Sequence, residues 1–362
     1  MGLVRDFRPH PRLRNGHLMT VVSAFWPRAF PRLPAAAHRL FEVEQGTQVR
    51  GDCNWHEDRR AHSTLVLLHG LEGSSDSGYM RGCAEKAFAA GFNVVRMNQR
   101  NCGGTEHLTP TLYHSGRSAD LRAVLAELVA RDGLGEIFFV GWSMGGNLVL
   151  KMAGEFGSKA PEELRGIAAV NPCFDLAACV DALGETRNFV YSRHFVRKLK
   201  RRMRRKAQLF GGIYSLDQLP RVHTVRNFDC MITARYCGFH NANDYYARSS
   251  AMHVLGAIQV PTLVLTAQDD PFVPFSTFSH EAMRNNPFIR LVAPEHGGHC
   301  GFISDEHGEE RFWSEARVVE FCAEQRELGV PEQLGKTGRE SSLRGQPSEK
   351  RGLEAGATME GA

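Results

Sequence analysis

The chain has 362 residues, 42% hydrophobic and 23% charged, with a formal net charge of +4. That is ample material for a large core, and too small a charge for a chain-wide field aimed at nucleic acid. Nine cysteines without C-x-x-C pairs or zinc-type Cys/His spacing read as free thiols in a reducing compartment. No run approaches the roughly 20 apolar residues that span a bilayer, and no apolar N-terminal segment precedes a small-residue cleavage site. A cytoplasmic protein is expected, with peripheral contact at a membrane left open.

Residues 1–38 are rich in Arg and Pro and read as an extended arm, whose patch Val21 to Trp26 is expected to dock on the core. Arg39 to Glu44 and Thr47 to Trp55 alternate as a hairpin around Gln45-Gly46. Thr64 to Leu68 is a short apolar strand ending at His69-Gly70, Tyr79 to Ala90 a helix, and Phe92 to Met97 the next strand. Leu121, Val124, Leu125, Leu128 and Val129 recur at helical spacing before Asp132-Gly133. Ile137 to Val140 is a strand that feeds a helix, and Gly166 to Val170 is another strand. Strands alternating with helices imply crossovers and a mostly parallel central sheet flanked by helices.

The alternation stops at Asn171-Pro172 and resumes at Thr262 to Thr266; Ile289 to Val292 is a last strand and Arg311 to Gln325 a last helix, with Phe312, Ala316, Val319 and Phe321 or Cys322 facing in. Residues 39–172 and 251–328 are therefore expected to form an α/β core, with 173–250 a helical cap insertion. From 329 to 362 the composition turns to Gly, Ser, Glu, Lys and Arg, which reads as a disordered tail.

The stretch between the strand ending near Val140 and its helix is Gly141-Trp142-Ser143-Met144-Gly145, a G-x-S-x-G. On a strand-turn-helix this is a nucleophile elbow, where the serine is exposed on a tight turn and the glycines let backbones approach. A hydroxyl needs a base to take its proton and an acid to hold that base. The chain offers these in the order Ser, acid, His. Asp269 and Asp270 follow the strand 262–266, and His299 lies in Gly297-Gly298-His299-Cys300-Gly301, preferred to His296 because its flanking glycines allow a tight loop. The backbone amides of Leu71 and Met144 are the candidate oxyanion donors. No G-x-x-x-x-G-K-[ST] is present, and no G-x-G-x-x-G follows a strand, so nucleotide binding is not expected.

Together, His69-Gly70, the run Asn98 to Thr105, G-W-S-M-G-G, D-D-P-F-V-P, G-G-H-C-G-F and N-G-H-L-M-T at 15–20 resemble an α/β-hydrolase, and in particular the YheT-like branch of bacterial hydrolases and eukaryotic lipid esterases and acyltransferases. The resemblance places the acid immediately before P-x-V-P, at Asp270, with Asp269 second. It implies carboxylic ester substrates such as short-chain esters, acylglycerols or related lipids, cleaved through an acyl-enzyme on Ser143. Acyl transfer to an alcohol or lipid acceptor is the alternative, and a catalytically silent binding protein a weaker one. Eukaryotic members often carry an N-terminal membrane anchor; without one here, a bacterial-type soluble enzyme is the closer comparison.

Arg193 to Lys206 carries nine cations, with Val196, Leu199 and Met203 at helical spacing. It is read first as a solvated cap face over an apolar stripe and second as a contact for anionic membrane. Nucleic acid is not an expected partner. No cofactor or metal is expected, since the 16 histidines form no H-E-x-x-H or similar ligand spacing.

Overall fold

The computed structural model describes residues 5–329. Its centre is one sheet of eight strands in the order β1-β2-β4-β3-β5-β6-β7-β8. β1 (Ala37–Glu44) and β2 (Thr47–Asn54) form the expected antiparallel hairpin at one edge, and β2 also runs antiparallel to β4 (Asn93–Met97). β3 (Thr64–Leu68), β4, β5 (Ile137–Trp142), β6 (Leu164–Val170), β7 (Thr262–Leu265) and β8 (Ile289–Val292) are mutually parallel. Their sequences are near-continuous apolar runs because helices cover both faces. The two-residue period of a strand shows in β3. Val66 and Leu68 join the core on one side of the sheet and Leu65 and Leu67 the core on the other.

α1 (Gly16–Phe25) belongs to the N-terminal arm, while α2 (Gly78–Ala89), α3 (Ser118–Asp132) and α4 (Met144–Phe156) are crossovers. Leu121, Val124, Leu125 and Leu128 of α3 pack with Leu148 and Met152 of α4 on one face. On the other, Met80, Cys83 and Ala87 of α2 meet Val318, Phe321 and Cys322 of the C-terminal helix Trp313–Leu328. Ala316, Val319, Phe321 and Cys322 are buried as expected; Phe312 instead precedes that helix, where Arg28 sits over its ring.

Between β6 and β7 the described residues hold helices and no strand: α5 (Leu176–Gly184), α6 (Phe189–Leu209), α7 (Val225–Phe228), a π-turn Asp229–Thr233, α8 (Ala234–Cys237) and α9 (Ala242–Ser249). Leu183, Val196, Leu199, Met203, Val222 and Phe228 give this layer a core of its own, closed from below by Phe272. α10 (Glu281–Asn285) and α11 (Trp313–Leu328) complete the set.

The arm departs from the expected extended chain. Asn15 caps α1 by accepting from the Leu18 amide at 3.0 Å. The buried face is Met19 and Thr20, not the Val21–Trp26 patch as a whole: Val21 and Phe25 are exposed, while Val22 and Trp26 pack beside Met19. Arg28 holds the following segment down through a two-pronged pair with Glu315 at 2.6 and 2.8 Å. The expectation for 329–362 falls, beyond Gly329, outside the described residues.

Candidate active site

In a parallel sheet, the loops after the strands emerge on one edge. Among the described residues, six non-glycine residues have left-handed φ, and all lie in those loops: Glu72 (57°) after β3, Asn101 (66°) after β4, Ser143 (55°) after β5, Asn171 (44°) after β6, Cys300 (59°) and Phe302 (41°) after β8. Each such residue costs of order 1–3 kcal/mol and persists only where its surroundings over-determine it. Such a concentration of strain on one edge marks the site.

Ser143 stands between β5 and α4, with its amide fixed on the Val170 carbonyl at 2.9 Å. The motif glycines are required by close approach. A Cβ on Gly141 would lie 2.1 Å from the Gly145 carbonyl oxygen, and one on Gly145 would lie 2.6 Å from that of Leu68. The Ser143 hydroxyl contacts Cys173 Sγ at 3.4 Å in this rotamer.

The structure brings Asp270 and His299 together and separates Asp269 from them. His299 Nδ1 meets Asp270 Oδ2 at 2.7 Å, with the Asp270 side chain fully buried and that of His299 11% exposed. Asp270 also accepts from the amides of Phe272 and Val273, each at 3.0 Å, and from Asn171 Nδ2 at 2.6 Å. Burial opposes a charge on His299, but the Asp270 carboxylate outweighs it and raises the imidazole pKa well above its ordinary value. The neighbouring Cys300 thiol is itself pushed up by burial, so it stays neutral and contributes little charge. Asp269 instead accepts from the Gly298 amide at 2.8 Å and faces His296 at 3.3 Å.

On the opposite wall, Leu71 and Met144 border the same cavity as Ser143. Met144 opens α4, so its amide precedes the first intrahelical bond, made by Asn147 to the Ser143 carbonyl at 3.1 Å. Beneath Leu71, His69 is fully buried with its pKa lowered by burial to about 4. Its neutral ring donates from Nδ1 to the Gly70 carbonyl at 2.7 Å and accepts from the Gln99 amide at 3.2 Å. The basic helix also reaches this wall. Arg202 pairs with Glu72 at 2.8 Å and bonds the Asn101 carbonyl, Lys198 donates to the Glu72 carbonyl at 3.1 Å, and Lys206 is buried on the carbonyls of Glu106 and Thr109. These three cations, four residues apart, form a docked face beside the apolar stripe.

The cavity runs from Ser143, Leu71 and Met144 under α5, α6 and α7, past Leu183, Leu199 and Phe228, to Asp229, Thr233, Tyr245 and Tyr246. Its walls are mainly apolar. Among the described residues no group of three His, Cys, Asp or Glu is placed to hold a metal ion.

Five contributors escaped the sequence reading. Asn171 bonds Asp270, the Gly298 carbonyl at 3.2 Å and the Cys300 amide at 3.3 Å. Its place immediately after a strand was the available signal. Thr20 accepts from the His299 amide at 2.8 Å, and Gly16 lies so close that a Cβ there would stand 2.0 Å from the Asp269 carbonyl oxygen. The motif N-G-H-L-M-T is thus a buttress for the acid and base loops. Cys173 beside the serine and Arg202 on Glu72 had no local pattern to announce them.

Residues 63–306 match the family described as alpha/beta hydrolase fold. YheT of Escherichia coli (strain K12), which carries an esterase name, is 33% identical over 321 residues, covering 87% of this chain and 92% of that one. Phospholipase ABHD3 of Mus musculus is 29% identical over 273 residues, covering 74% of this chain and 66% of that one. The fold is shared with the Pyrococcus furiosus esterase Pf2001, at a TM-score of 0.54 and 16% identity over 89% of this chain and 98% of that one. The chain belongs to the α/β-hydrolase fold family, within its YheT-like branch of ester hydrolases.

Proposed function

We propose that the protein hydrolyses carboxylic esters through an acyl-enzyme on Ser143, with His299 as base, Asp270 as its orienting acid, and the Leu71 and Met144 amides as the oxyanion hole. The observation that carries this is the buried Asp270–His299 pair, at 2.7 Å, on the same sheet edge as the strained Ser143. Because Nδ1–H of His299 donates to Asp270, Nε2 of the neutral ring is the acceptor. The Ser143 hydroxyl turns from Cys173 toward that nitrogen and attacks the acyl carbonyl as its proton moves to His299. The two amides hold the negative oxygen, a contribution of about 3 to 4 kcal/mol for each such donor. His299 then protonates the leaving alcohol, and water activated by the same ring releases the acid.

The helices between β6 and β7 serve as a cap, and the apolar cavity beneath them takes the acyl group of a short-chain ester, an acylglycerol or a related lipid. An anionic lipid surface is the reading favoured for the outer face. Arg193, Arg197, Lys200 and Arg204 line a groove of about 570 Å³ on α6. Phe189 and Val190 beside it are 60% and 73% exposed, and Leu18, Val21 and Phe25 of α1 are also exposed. His17 of α1 stacks on Tyr191 of α6 at 5.8 Å, so the two apolar ends adjoin. Peripheral binding by such a face combines apolar insertion with cation attraction. No helix among the described residues is long and apolar enough to cross a membrane.

The test is hydrolysis of 4-nitrophenyl esters across chain lengths, with and without anionic vesicles, together with fluorophosphonate labelling. Labelling on Ser143, lost with hydrolysis in Ser143→Ala, is expected; undiminished hydrolysis in that variant overturns the assignment. Free acid as the sole product in the presence of ethanol separates hydrolysis from transfer.

A further inference from the structure

We propose that Cys173, with Cys179 as its resolving partner, is a covalent modification site inside the acyl cavity, open to hydrogen peroxide and to small soft electrophiles, and that its modification silences Ser143. The proposal rests on the reading of Ser143 as nucleophile for its effect on activity, but not for the modification itself.

Three observations place the site. Cys173 Sγ lies 3.4 Å from Ser143 Oγ, and its amide is bonded to the Ser143 carbonyl at 3.2 Å, so the thiol is held beside the nucleophile. Cys173 and Cys179 both line the cavity, Cys173 partly exposed and Cys179 buried behind it. Cys173 lies just before α5 and Cys179 within it, so the two line one cavity six positions apart in the chain, the arrangement of a nucleophilic and a resolving cysteine.

The thiols elsewhere in the body offer a contrast. Burial pushes the Cys83 and Cys322 thiols up, leaving them protonated and inert. At Cys173 the Cys179 thiol is the strongest influence; it and the nearby His299 and Ser143 prevail over burial and lower the thiol pKa. Cys179 moves the other way, well above its ordinary value. Cys173, the partly exposed thiol beside Ser143, is therefore the attacking sulfur and the buried Cys179 the one that follows.

With peroxide, the Cys173 thiolate attacks one oxygen, the S–O bond forms, the O–O bond breaks, and hydroxide leaves to be protonated by solvent. Cys179 then attacks the sulfenic sulfur. An S–S bond forms, the S–O bond breaks, and the departing oxygen leaves as water with the Cys179 proton. Two thiols are oxidised to one disulfide and one peroxide is reduced to two waters. With a maleimide, sulfur adds to the activated carbon and the neighbouring carbon takes a proton. The sulfur modified in either case is the one that stands 3.4 Å from Ser143 Oγ in the free protein, so both products alter the surroundings of the nucleophile.

The experiment treats the full chain with hydrogen peroxide, or with substoichiometric N-ethylmaleimide, and reads peptide masses, fluorophosphonate labelling and ester hydrolysis. Expected are a Cys173–Cys179 disulfide or a Cys173 adduct, with labelling and hydrolysis falling together at least tenfold and dithiothreitol restoring the peroxide-treated enzyme. Cys173→Ala and Cys173→Ser should each keep their own starting activity under the same treatment. Cys179→Ala should still be inactivated by peroxide but accumulate a dimedone-trappable sulfenic acid. Modification confined to the exposed Cys230 with hydrolysis unchanged, or equal inactivation of both Cys173 variants, overturns the proposal. If no ester is turned over, the function above fails, while the mass assignment at Cys173 still decides the modification.

Discussion

Two carboxylate–imidazole pairs lie side by side at the ends of β7 and β8, made from neighbouring residues and yet unlike in consequence. Asp270–His299 is closed at 2.7 Å, with side chains 0% and 11% exposed. Asp269–His296 is open at 3.3 Å, with 22% and 34% exposed. The inner pair is enclosed by Asn171, two backbone amides and the tilted ring of Phe272, 4.0 Å from the His299 ring, so Asp270 acts on His299 through a low-dielectric setting. The outer pair is partly screened by water, and Asp269 spends one oxygen on the Gly298 amide, bracing the loop. On the proposed mechanism, identical chemistry becomes a catalytic pair or a strut according to burial and the direction of the remaining hydrogen bonds.

The widest separation should come from the histidines. His299→Ala is expected to lower kcat by about 10⁴-fold or more, the scale seen when a triad base is removed, whereas His296→Ala should stay within a few fold; comparable losses would erase the distinction. Among the acids, Asp270→Asn should reduce kcat by about 10⁴-fold by favouring the wrong tautomer. Asp269→Asn should lose closer to tenfold, through a looser His299 loop; a reversed order would make Asp269 the partner of the base.

The pH profile sharpens the same contrast. His299 must be neutral to accept a proton and its pKa is raised, so kcat/KM should fall as pH drops through a value above the ordinary histidine range, near 6.5. Asp270→Asn should move that acid limb to lower pH, and His296→Ala should leave it in place. The smallest effect is expected at Thr20→Val, which leaves the His299 amide without its acceptor: about 1 to 3 kcal/mol of local cost, read as a several-fold fall in kcat with KM little changed. A Tm shift with kcat intact would assign Thr20 to stability alone.

Much of this was legible in the sequence because it is written locally. β3 and β8 fall where the apolar runs put them, the elbow is announced by Gly141, Ser143 and Gly145, and D-D-P-F-V-P and G-G-H-C-G-F each follow a strand. β5 runs on to Trp142, past the expected end at Val140, because pairing with β6 continues through Val170. Composition misjudged the arm. Its Arg and Pro content suggested extended chain, but Asn15, an N-cap residue followed by a helix-compatible run, outweighed that locally. Nothing local could place Thr20 against His299, 279 residues away, or direct Lys198, Arg202 and Lys206 inward while Arg197, Arg201 and Arg205 face water. Periodicity reveals that a helix has faces; which polar face docks depends on carbonyls and carboxylates supplied by distant loops.

The contact of α1 with the His299 loop also orders events in time. Ser143 is synthesised long before the loop that supplies its proposed base, and that loop is seated on residues made earlier still. Gly16 and Thr20 must wait for Gly298 and His299, and Trp313 reaches back to the Arg5 carbonyl at 3.1 Å. On the proposed mechanism, a ribosome-bound chain that already holds Ser143 still lacks its acid and base. The segment around Thr20 and the loop around His299 clasp only once both have been made, so the proposed site closes as a late step.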